Sequence, residues 1–448
     1  MQNKEKDVIQ LSDHFTYGRL IRFVIPSIVM MIFTSIYGVV DGLFVSNFVG
    51  KTPFAALNLI MPAIMIMGAV GFMIGTGGSA LVAKTLGEGD RERADRYFTM
   101  MIMLDVIAGV LLAVLGNIFI EPMALLLGAD EVLLPYCVLY GRITLCGLPA
   151  FMLQNVFQSF LITAEKPKLG LAVTVAAGCT NIILDLLLVG IFPMGLAGAA
   201  LATAISQLVG GVIPLIYFLR PNKSLLRLTR TRLEVSPLLK ACANGSSELM
   251  SNISMSLVGI LYNYQLMSLA GENGVAAYGV IMYVNFIFVA FFIGYSIGAA
   301  PIIGYHYGAL NSDELKSLRK KSLVIVGITG LVMTVLAEVL AAPLSALFVG
   351  YDAELFELTR RGFMLYSLSF LICGINIFGS AFFTALNNGL ISAILSFVRT
   401  LVFQVAALFI LPLFMQVDGI FFSIVAAEIL AAAMTIVFIV AKRKKYGY

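Results

Sequence analysis

Apolar stretches of about 20 residues recur along the whole chain, and each is long enough to cross the hydrocarbon core of a bilayer. Hydrophobic residues make up 60% of the 448 positions, charged residues make up 12%, and the mean hydropathy is +0.97. A water-soluble globular protein is not expected to have this composition. Transmembrane strands would instead alternate in shorter pieces. The sequence therefore predicts an all-α polytopic membrane protein without a soluble domain.

We predict twelve transmembrane helices (spans 1–12), which cover approximately residues 20–43, 54–83, 97–119, 136–162, 169–191, 196–219, 240–269, 275–303, 322–341, 362–386, 390–412 and 419–441. Of the 29 Lys and Arg residues, 24, including Lys4 and Lys6, lie in the terminal segments or in connections that follow even-numbered spans. Cytoplasmic connections carry such an excess of positive charge. Both termini are therefore expected in the cytoplasm. Basic residues at membrane edges give no indication of a nucleic-acid partner.

The two halves of the chain repeat each other at a constant shift of 221 residues. The shift pairs Gly38 with Gly259, Gly77 with Gly298, Gly87 with Gly308, Pro122 with Pro343, Asn155 with Asn376 and Ser159 with Ser380. Each repeat holds six spans, an even number, so both copies enter the membrane in the same direction, as in transporters with parallel repeats. We therefore expect two six-helix lobes around a central cleft, residues 1–219 and 240–448, with a cytoplasmic linker at residues 220–239.

An acid lies inside span 5. Asn181 and Asp185 are four residues apart, so they share one face of a helix, one turn from each other. An acid within a membrane span costs at least a few kcal/mol unless it meets water or a partner. A buried acid next to a buried amide therefore indicates a ligand.

Two further polar residues share the depth of this pair. Asp41 lies near the outer end of span 1, Asp185 lies about 24 Å along span 5, and Thr203 lies about two turns into span 6. The repeat positions of Asp41, Asn181 and Asp185 hold Tyr262, Val402 and Ala406. The acidic group thus belongs to the first lobe alone. We expect it to gain a cation, either a proton on one of two neighbouring carboxyl groups or a Na⁺ held by oxygen ligands. For Asp41, an interfacial position at a helix end is the alternative.

With these residues the chain resembles the MATE (multidrug and toxic compound extrusion) transporters, above all their DinF-type, MepA-like branch. The resemblance covers essentially all twelve spans. Its most specific marks are Pro26, Asp41, Asn181, Asp185 and Thr203. It implies that the last four form a first-lobe site that binds H⁺ or Na⁺ in exchange for drug, and that span 1 bends at Pro26. It also implies the cytoplasmic (inner) membrane of a prokaryote.

Other MATE branches carry an acid in span 7 and another in span 10. Glu248 matches the first of these positions, whereas Cys373 replaces the second. Glu248 and Arg399 are similarly deep in spans 7 and 11, and we expect an ion pair between them, either structural or gating, or part of coupling. Glu428 replaces Gln207 of the first repeat and either faces the cavity or satisfies a neighbour.

Four residues are candidates for the substrate cavity. Tyr37 lies one turn before Asp41 on the same helix face. The others are Asn155, Ser159 and Asn376. The two asparagines are near mid-membrane in equivalent spans, where they either line the cleft between the lobes or bridge helices within each lobe.

We therefore expect a secondary active exporter that exchanges H⁺ or Na⁺ for amphipathic, cationic organic compounds. Beyond that ion we expect no cofactor, no metal cluster and no disulfide, because the five cysteines and two histidines lack ligand spacing. The chain contains no GxxxxGK[ST] motif, which argues against ATP-driven transport. Besides drugs and membrane lipid we expect no partner, and a monomer.

Three alternative functions can be compared by the feature that each would require. A flippase for lipid-linked precursors would need a strongly cationic cavity, and the first-lobe spans hold almost no Lys or Arg. A membrane-embedded enzyme would need a nucleophile and base, or a metal, at one depth. Because His14 and His306 lie outside the predicted spans, we do not expect an enzyme. A channel would show flux without an exchange partner.

Overall fold

The computed structural model describes residues 9–448, with the side chains of Leu43, Ser46 and Lys51 excepted. Lys4 and Lys6 lie outside the described residues. The helices are α1 (Tyr17–Phe44), α2 (Lys51–Gly87), α3 (Arg91–Leu126), α4 (Leu134–Thr163), α5 (Pro167–Asp185), α6 (Gly195–Leu219), α7 (Val235–Gly308), α8 (Ser312–Val349), α9 (Ala353–Ser367), α10 (Phe370–Ala385), α11 (Gly389–Phe397), α12 (Gln404–Ile410) and α13 (Pro412–Tyr446). Three π-helical turns interrupt them at Val45–Val49, Leu186–Ile191 and Val398–Phe403.

The described residues contain the twelve predicted spans. Ten helical stretches are long and apolar enough to cross a membrane, and α9 with α10 forms an eleventh span bent by 48°. The 74-residue α7 contains two spans, because its backbone leaves helical geometry at Gly271 (φ 62°, ψ −153°). Since a residue with positive φ is strained unless it is glycine, the chain can turn back there at little cost. The prediction of an all-α membrane protein with twelve spans is confirmed.

Four helices that begin on the side of the chain termini, α1, α3, α8 and α11, start with side-chain caps. Thr16 accepts from the backbone N–H of Arg19 at the start of α1, and Asp90 accepts from Arg93 N–H at the start of α3. Asn311 and Asn388 cap α8 and α11 in the same way. Such caps satisfy backbone donors that have no partner within the helix. The short polar connections in the sequence therefore fix where the spans begin.

Both described ends of the chain lie at one end of the bundle, which we call the terminal face. The ring of Phe15, just before α1, lies 6.3 Å from that of His306, and the ring of Tyr446 lies 5.7 Å from that of Tyr307. His306 and Tyr307 belong to the last turn of α7. The terminal face thus carries the start of α1, the end of α7 and the end of α13.

The two lobes touch each other near the terminal face. A Cβ built on Gly77 of α2 would overlap the carbonyl oxygen of Ala241 in α7, and one on Gly87 would overlap that of Tyr305. Close packing through small residues is the usual way in which membrane helices associate. Towards the other end, a Cβ on Gly38, Gly42, Gly259 or Gly279 would meet no described atom within 4 Å. The closest glycine contacts between the lobes therefore lie towards the terminal face.

Candidate cation-binding site

Asp41 and Asp185 each lie within one turn ahead of a π-helical turn. Asp185 is the last residue of α5, and the turn Leu186–Ile191 follows it. Asp41 lies four residues ahead of the turn Val45–Val49, and the N–H of Val45 points to the carbonyl oxygens of Asp41 and Gly42. Short π-helical segments are frequent at functional sites, because they redirect side chains within a helix.

A glycine lets α5 approach α1 at this level. A Cβ on Gly178 would lie 2.5 Å from Cε1 of Phe33 and 2.9 Å from Cδ1 of Tyr37. A larger residue would therefore force the two helices apart. Asn181 follows Gly178 by about one turn of α5, and Asp185 follows by about two. The contact sets both polar side chains against the outer half of α1.

The structure brings Asp41, Asn181 and Asp185 together. Asp41 faces both Asp185 and Asn181 at interaction distance. Asp185 is 0% exposed and Asn181 is 2% exposed. Five buried oxygens of the site have no hydrogen-bond partner among the described residues: Oδ1 of Asp41, Oδ1 of Asn181, both carboxyl oxygens of Asp185, and Oγ1 of Thr203.

These unpartnered oxygens define what the site can do chemically. Buried polar groups are almost always hydrogen-bonded, because burial without a partner costs roughly 1–3 kcal/mol, and more for charged groups. All five atoms are oxygens with free lone pairs. Three of them belong to the carboxylates of Asp41 and Asp185. A proton shared by the acids would join one oxygen of each carboxylate, whereas a Na⁺ could bind several of the five oxygens together.

Two residues that sequence reasoning missed complete the site. Tyr140 of α4 is fully buried, lies beside Asp41, Asp185 and Thr203, and places its hydroxyl 3.8 Å from Sδ of Met61. Gln154, also on α4, lies beside Tyr37. Their repeat positions hold Arg361 and Ile375. The asymmetry between repeats that singled out the acids could have found these residues as well.

The family model MatE matches the chain twice, over residues 26–187 and over residues 249–410. The chain belongs to the MATE family. One match falls in each lobe of the fold, so the two halves carry the family pattern separately. The resemblance inferred from the five marker residues is confirmed.

Relatives and solved structures of the MATE family align over nearly the whole chain. "Multidrug export protein MepA" of Staphylococcus haemolyticus is 24% identical over 97% of this chain and 96% of its own length. The MepA protein of Staphylococcus saprophyticus is 23% identical over 98% and 97%. Among structures, a MATE in complex with MaL6 superposes with a TM-score of 0.93 at 22% identity, covering 98% of this chain and 99% of that one. An outward-facing multidrug resistance MATE transporter superposes at 0.92 with 23% identity, covering 98% of both chains.

In this MATE chain, α1 continues through Pro26 from Tyr17 to Phe44. A proline within a helix removes one hydrogen bond and weakens the helix locally. The bending of span 1 at Pro26 stays a prediction. Tyr37 is half-buried beside Asp41, and its place in the substrate cavity stays a prediction.

The other candidate cavity residues lie inside the lobes. The side-chain amide of Asn376 donates to the carboxylate (2.6 Å) and to the carbonyl oxygen (2.9 Å) of Glu428, and its oxygen accepts from Thr435 at 3.1 Å. Asn376 therefore bridges α10 and α13 of the second lobe, as one of its two predicted roles required, and its assignment to the substrate cavity stays a prediction. Asn155 and Ser159 are 3% and 5% exposed. Both lie where α4 packs against Gly75 of α2, which likewise places them within a lobe.

Arg399 pairs with Glu428, so the predicted pair of Glu248 and Arg399 is wrong. Nη2 of Arg399 lies 2.7 Å from Oε1 of Glu428, and Nε donates to both carboxyl oxygens at 2.9 and 3.1 Å. Equal depth permitted the other pair. Arg399, however, lies in the turn Val398–Phe403, which packs against α13, the helix of Glu428. Glu428 thus satisfies a neighbour, as one of its two predicted roles required.

The second lobe has no counterpart of the cation site among the described residues. Tyr262, at the position of Asp41, is fully buried and bonds Oγ of Ser423 at 2.6 Å. Val402 and Ala406, at the positions of Asn181 and Asp185, line an apolar hollow of about 600 Å³. The asymmetry predicted from the repeat is therefore also present in three dimensions.

Proposed function

We propose that the protein is a secondary active multidrug exporter that exchanges H⁺ or Na⁺ for amphipathic, cationic organic compounds by alternating access. The observation that carries the proposal is the cluster of buried, unpartnered oxygens around Asp41 and Asp185. Relatives that align over nearly the full chain are named multidrug export proteins. The family and the site chemistry together support coupling of drug export to a cation.

The coupling acts through α1, which belongs to the site and to the lobe interface at once. Asp41 lies near its far end, while its first half packs on α7, where a Cβ on Gly294 would lie 2.6 Å from Cα of Ile28. In the middle of α1, Oγ of Ser35 donates to the carbonyl oxygen of Phe286 at 3.2 Å. A cation that binds one arrangement of α1 and α5 more tightly than another shifts the equilibrium between lobe arrangements by its difference in affinity.

The substrate class follows from what surrounds the cleft. The first lobe contributes two acids and the half-buried Tyr37, whereas the second lobe contributes an apolar hollow at the equivalent position. Its nearby cation, Arg399, is neutralised by Glu428. An organic compound with an apolar body and a positive charge suits both walls, and an anionic lipid headgroup does not.

The proposed topology places the terminal face in the cytoplasm of a prokaryotic cell. Residues 220–239 lie against α3 on that face, where the N–H of Arg227 donates to Oδ1 of Asp95 at 2.9 Å and that of Thr229 donates to Oγ1 of Thr99 at 3.0 Å. In this orientation the lobes are closed towards the cytoplasm and diverge towards the outside.

The deciding experiment is efflux from proteoliposomes under an imposed pH gradient or an imposed Na⁺ gradient, each alone. With ethidium as the probe, we expect the wild type to export under one gradient. Asp41→Asn/Asp185→Asn should abolish gradient-driven export while the protein stays folded and still binds ethidium. Wild-type export by the double variant would remove the basis of the proposal, and export without any gradient would indicate a channel.

A further inference from the structure

The described residues that precede α1 run from a contact with one lobe to a contact with the other. We call residues 9–16 the strap. The strap is continuous with α1 of the first lobe, and its residues Leu11 and Phe15 are both fully buried. A polar segment that buries two large apolar side chains is docked, because removing their apolar surface from water stabilises the docked arrangement.

The strap binds the second lobe through the start of α8. Oε1 of Glu314 accepts from the backbone N–H of Phe15 at 2.9 Å, and Oε2 lies 2.6 Å from Nδ1 of His14. Lys321, two turns further along α8, donates to the carbonyl oxygen of Phe15. The ring of Phe15 stands edge-on to His306 of α7. Every polar contact in this group involves a charged partner, which makes it stronger than a neutral hydrogen bond.

The strap binds the first lobe at a second point. The N–H of Leu11 donates to Oε1 of Glu165 at 2.7 Å, and Glu165 lies in the turn between α4 and α5. Phe15 also contacts Phe23 of α1, with ring centroids 6.1 Å apart. Asp13 and Arg19, 3.5 Å apart, fix the strap to the start of its own helix. The strap therefore holds an anchor in each lobe.

We propose that the strap is a latch that keeps the terminal face closed. The lobes meet at this face, so opening it must move α8 away from the α4–α5 turn. The strap spans both, and it must release Glu314 and the pocket of Phe15 before they can separate. This inference rests on the proposed alternating access. The strap stabilises the closed terminal face and takes no part in binding the cation or the drug.

Cys242 provides the readout for a test. It lies next to Ala241, which contacts Gly77 across the lobe interface, and it packs in the apolar cluster of the first lobe. A variant that retains Cys242 and replaces Cys137, Cys146, Cys179 and Cys373 with Ala reports opening as the rate of maleimide labelling. Nanodiscs leave both faces accessible, so the measurement does not depend on orientation.

Two acids in the first turn of α8 form a matched pair of variants. The side chain of Glu314 is 7% exposed and holds the strap, whereas that of Asp313 is 98% exposed and contacts only Lys316 among the described residues. Since the Glu314 carboxylate makes two contacts with the strap and hydrogen bonds to charged groups are the stronger ones, Glu314→Ala should raise the labelling rate about tenfold or more. Asp313→Ala, which also removes a carboxylate from the first turn of α8, should leave it unchanged. Phe15→Ala should reproduce the effect of Glu314→Ala through the strap itself.

The outcomes separate the latch from the proposed function. Addition of ethidium should change Cys242 labelling in the parent variant, and no change would count against alternating access. A parent that responds to ethidium, together with equal labelling of Glu314→Ala, Phe15→Ala and Asp313→Ala, would overturn the latch. Thermal unfolding and size exclusion identify a misfolded variant, in which case the remaining strap variant decides.

Discussion

At the scale of single residues, the proposed cation site contains both charged and neutral oxygens, and the two kinds differ in role. Asp41 and Asp185 supply the charge that a cation neutralises, and Asn181 and Thr203 supply oxygens without charge. All four side chains have an oxygen that is buried without a partner. We therefore propose that the acids decide whether a cation binds at all, and that a neutral oxygen adjusts how tightly it binds.

The neutral ligands should therefore tune coupling without abolishing it. Asn181→Ala and Thr203→Ala should each raise the cation concentration needed for half-maximal export by about tenfold, because one oxygen contact to a charged partner is worth roughly 1.5–3 kcal/mol. Asn117→Ala is the control, since Asn117 is an amide of the same lobe whose side chain donates to the carbonyl oxygen of Ala113 within its own helix. Equal shifts for Asn117 and Asn181 would mean that the effect comes from lobe stability.

At the scale of helices, sequence reasoning gave the spans, the repeat and the shared depth of the first-lobe acids. It did so because apolar length, glycine spacing and the i, i+4 relation are direct consequences of helix geometry. It assigned the wrong partner to Arg399, because depth does not fix the direction in which a side chain points. The π-helical turn Val398–Phe403 sets that direction, and no residue pattern in the sequence predicted this turn. Tyr140 was missed because a tyrosine in an apolar span usually serves only in packing, so its position did not suggest a functional role.

The Arg399–Glu428 pair should behave as a unit in stability. Removing one partner of a buried pair typically costs 3–5 kcal/mol, since it leaves an uncompensated charge. Arg399→Gln and Glu428→Gln should each lower the unfolding temperature. The double variant should lose much less stability than the two single losses added together. Glu248→Gln should add independently to Arg399→Gln. Coupling of Arg399 with Glu248 in place of Glu428 would contradict the pairing seen here.

At the scale of the whole molecule, the two lobes are alike in fold and unlike in charge. The first lobe holds a pair of acids with unpartnered oxygens, and the second lobe holds an acid that its own arginine and asparagine already satisfy. Among the described residues, the pair of neighbouring acids that could share a cation therefore lies in the first lobe. Helix α1 links the acidic site to the lobe interface, because it carries both Asp41 and part of the contact with α7.

The closed terminal face depends on glycines where helix backbones touch, and this yields the last prediction. A Cβ on Gly77 would overlap the carbonyl oxygen of Ala241, and backbone cannot yield as a flexible side chain does. Gly77→Ala should therefore destabilise the closed arrangement, raise Cys242 labelling about tenfold and slow export. Gly259→Ala is the control: it adds the same methyl to a helical glycine with no described atom within 4 Å of the new Cβ. That change should leave labelling and export as they are, and by helix propensity it should raise stability slightly, by up to about 1 kcal/mol. If both variants label at the parental rate, the lobes do not close through this contact, and the terminal face must be held by the strap and the other glycine contacts alone.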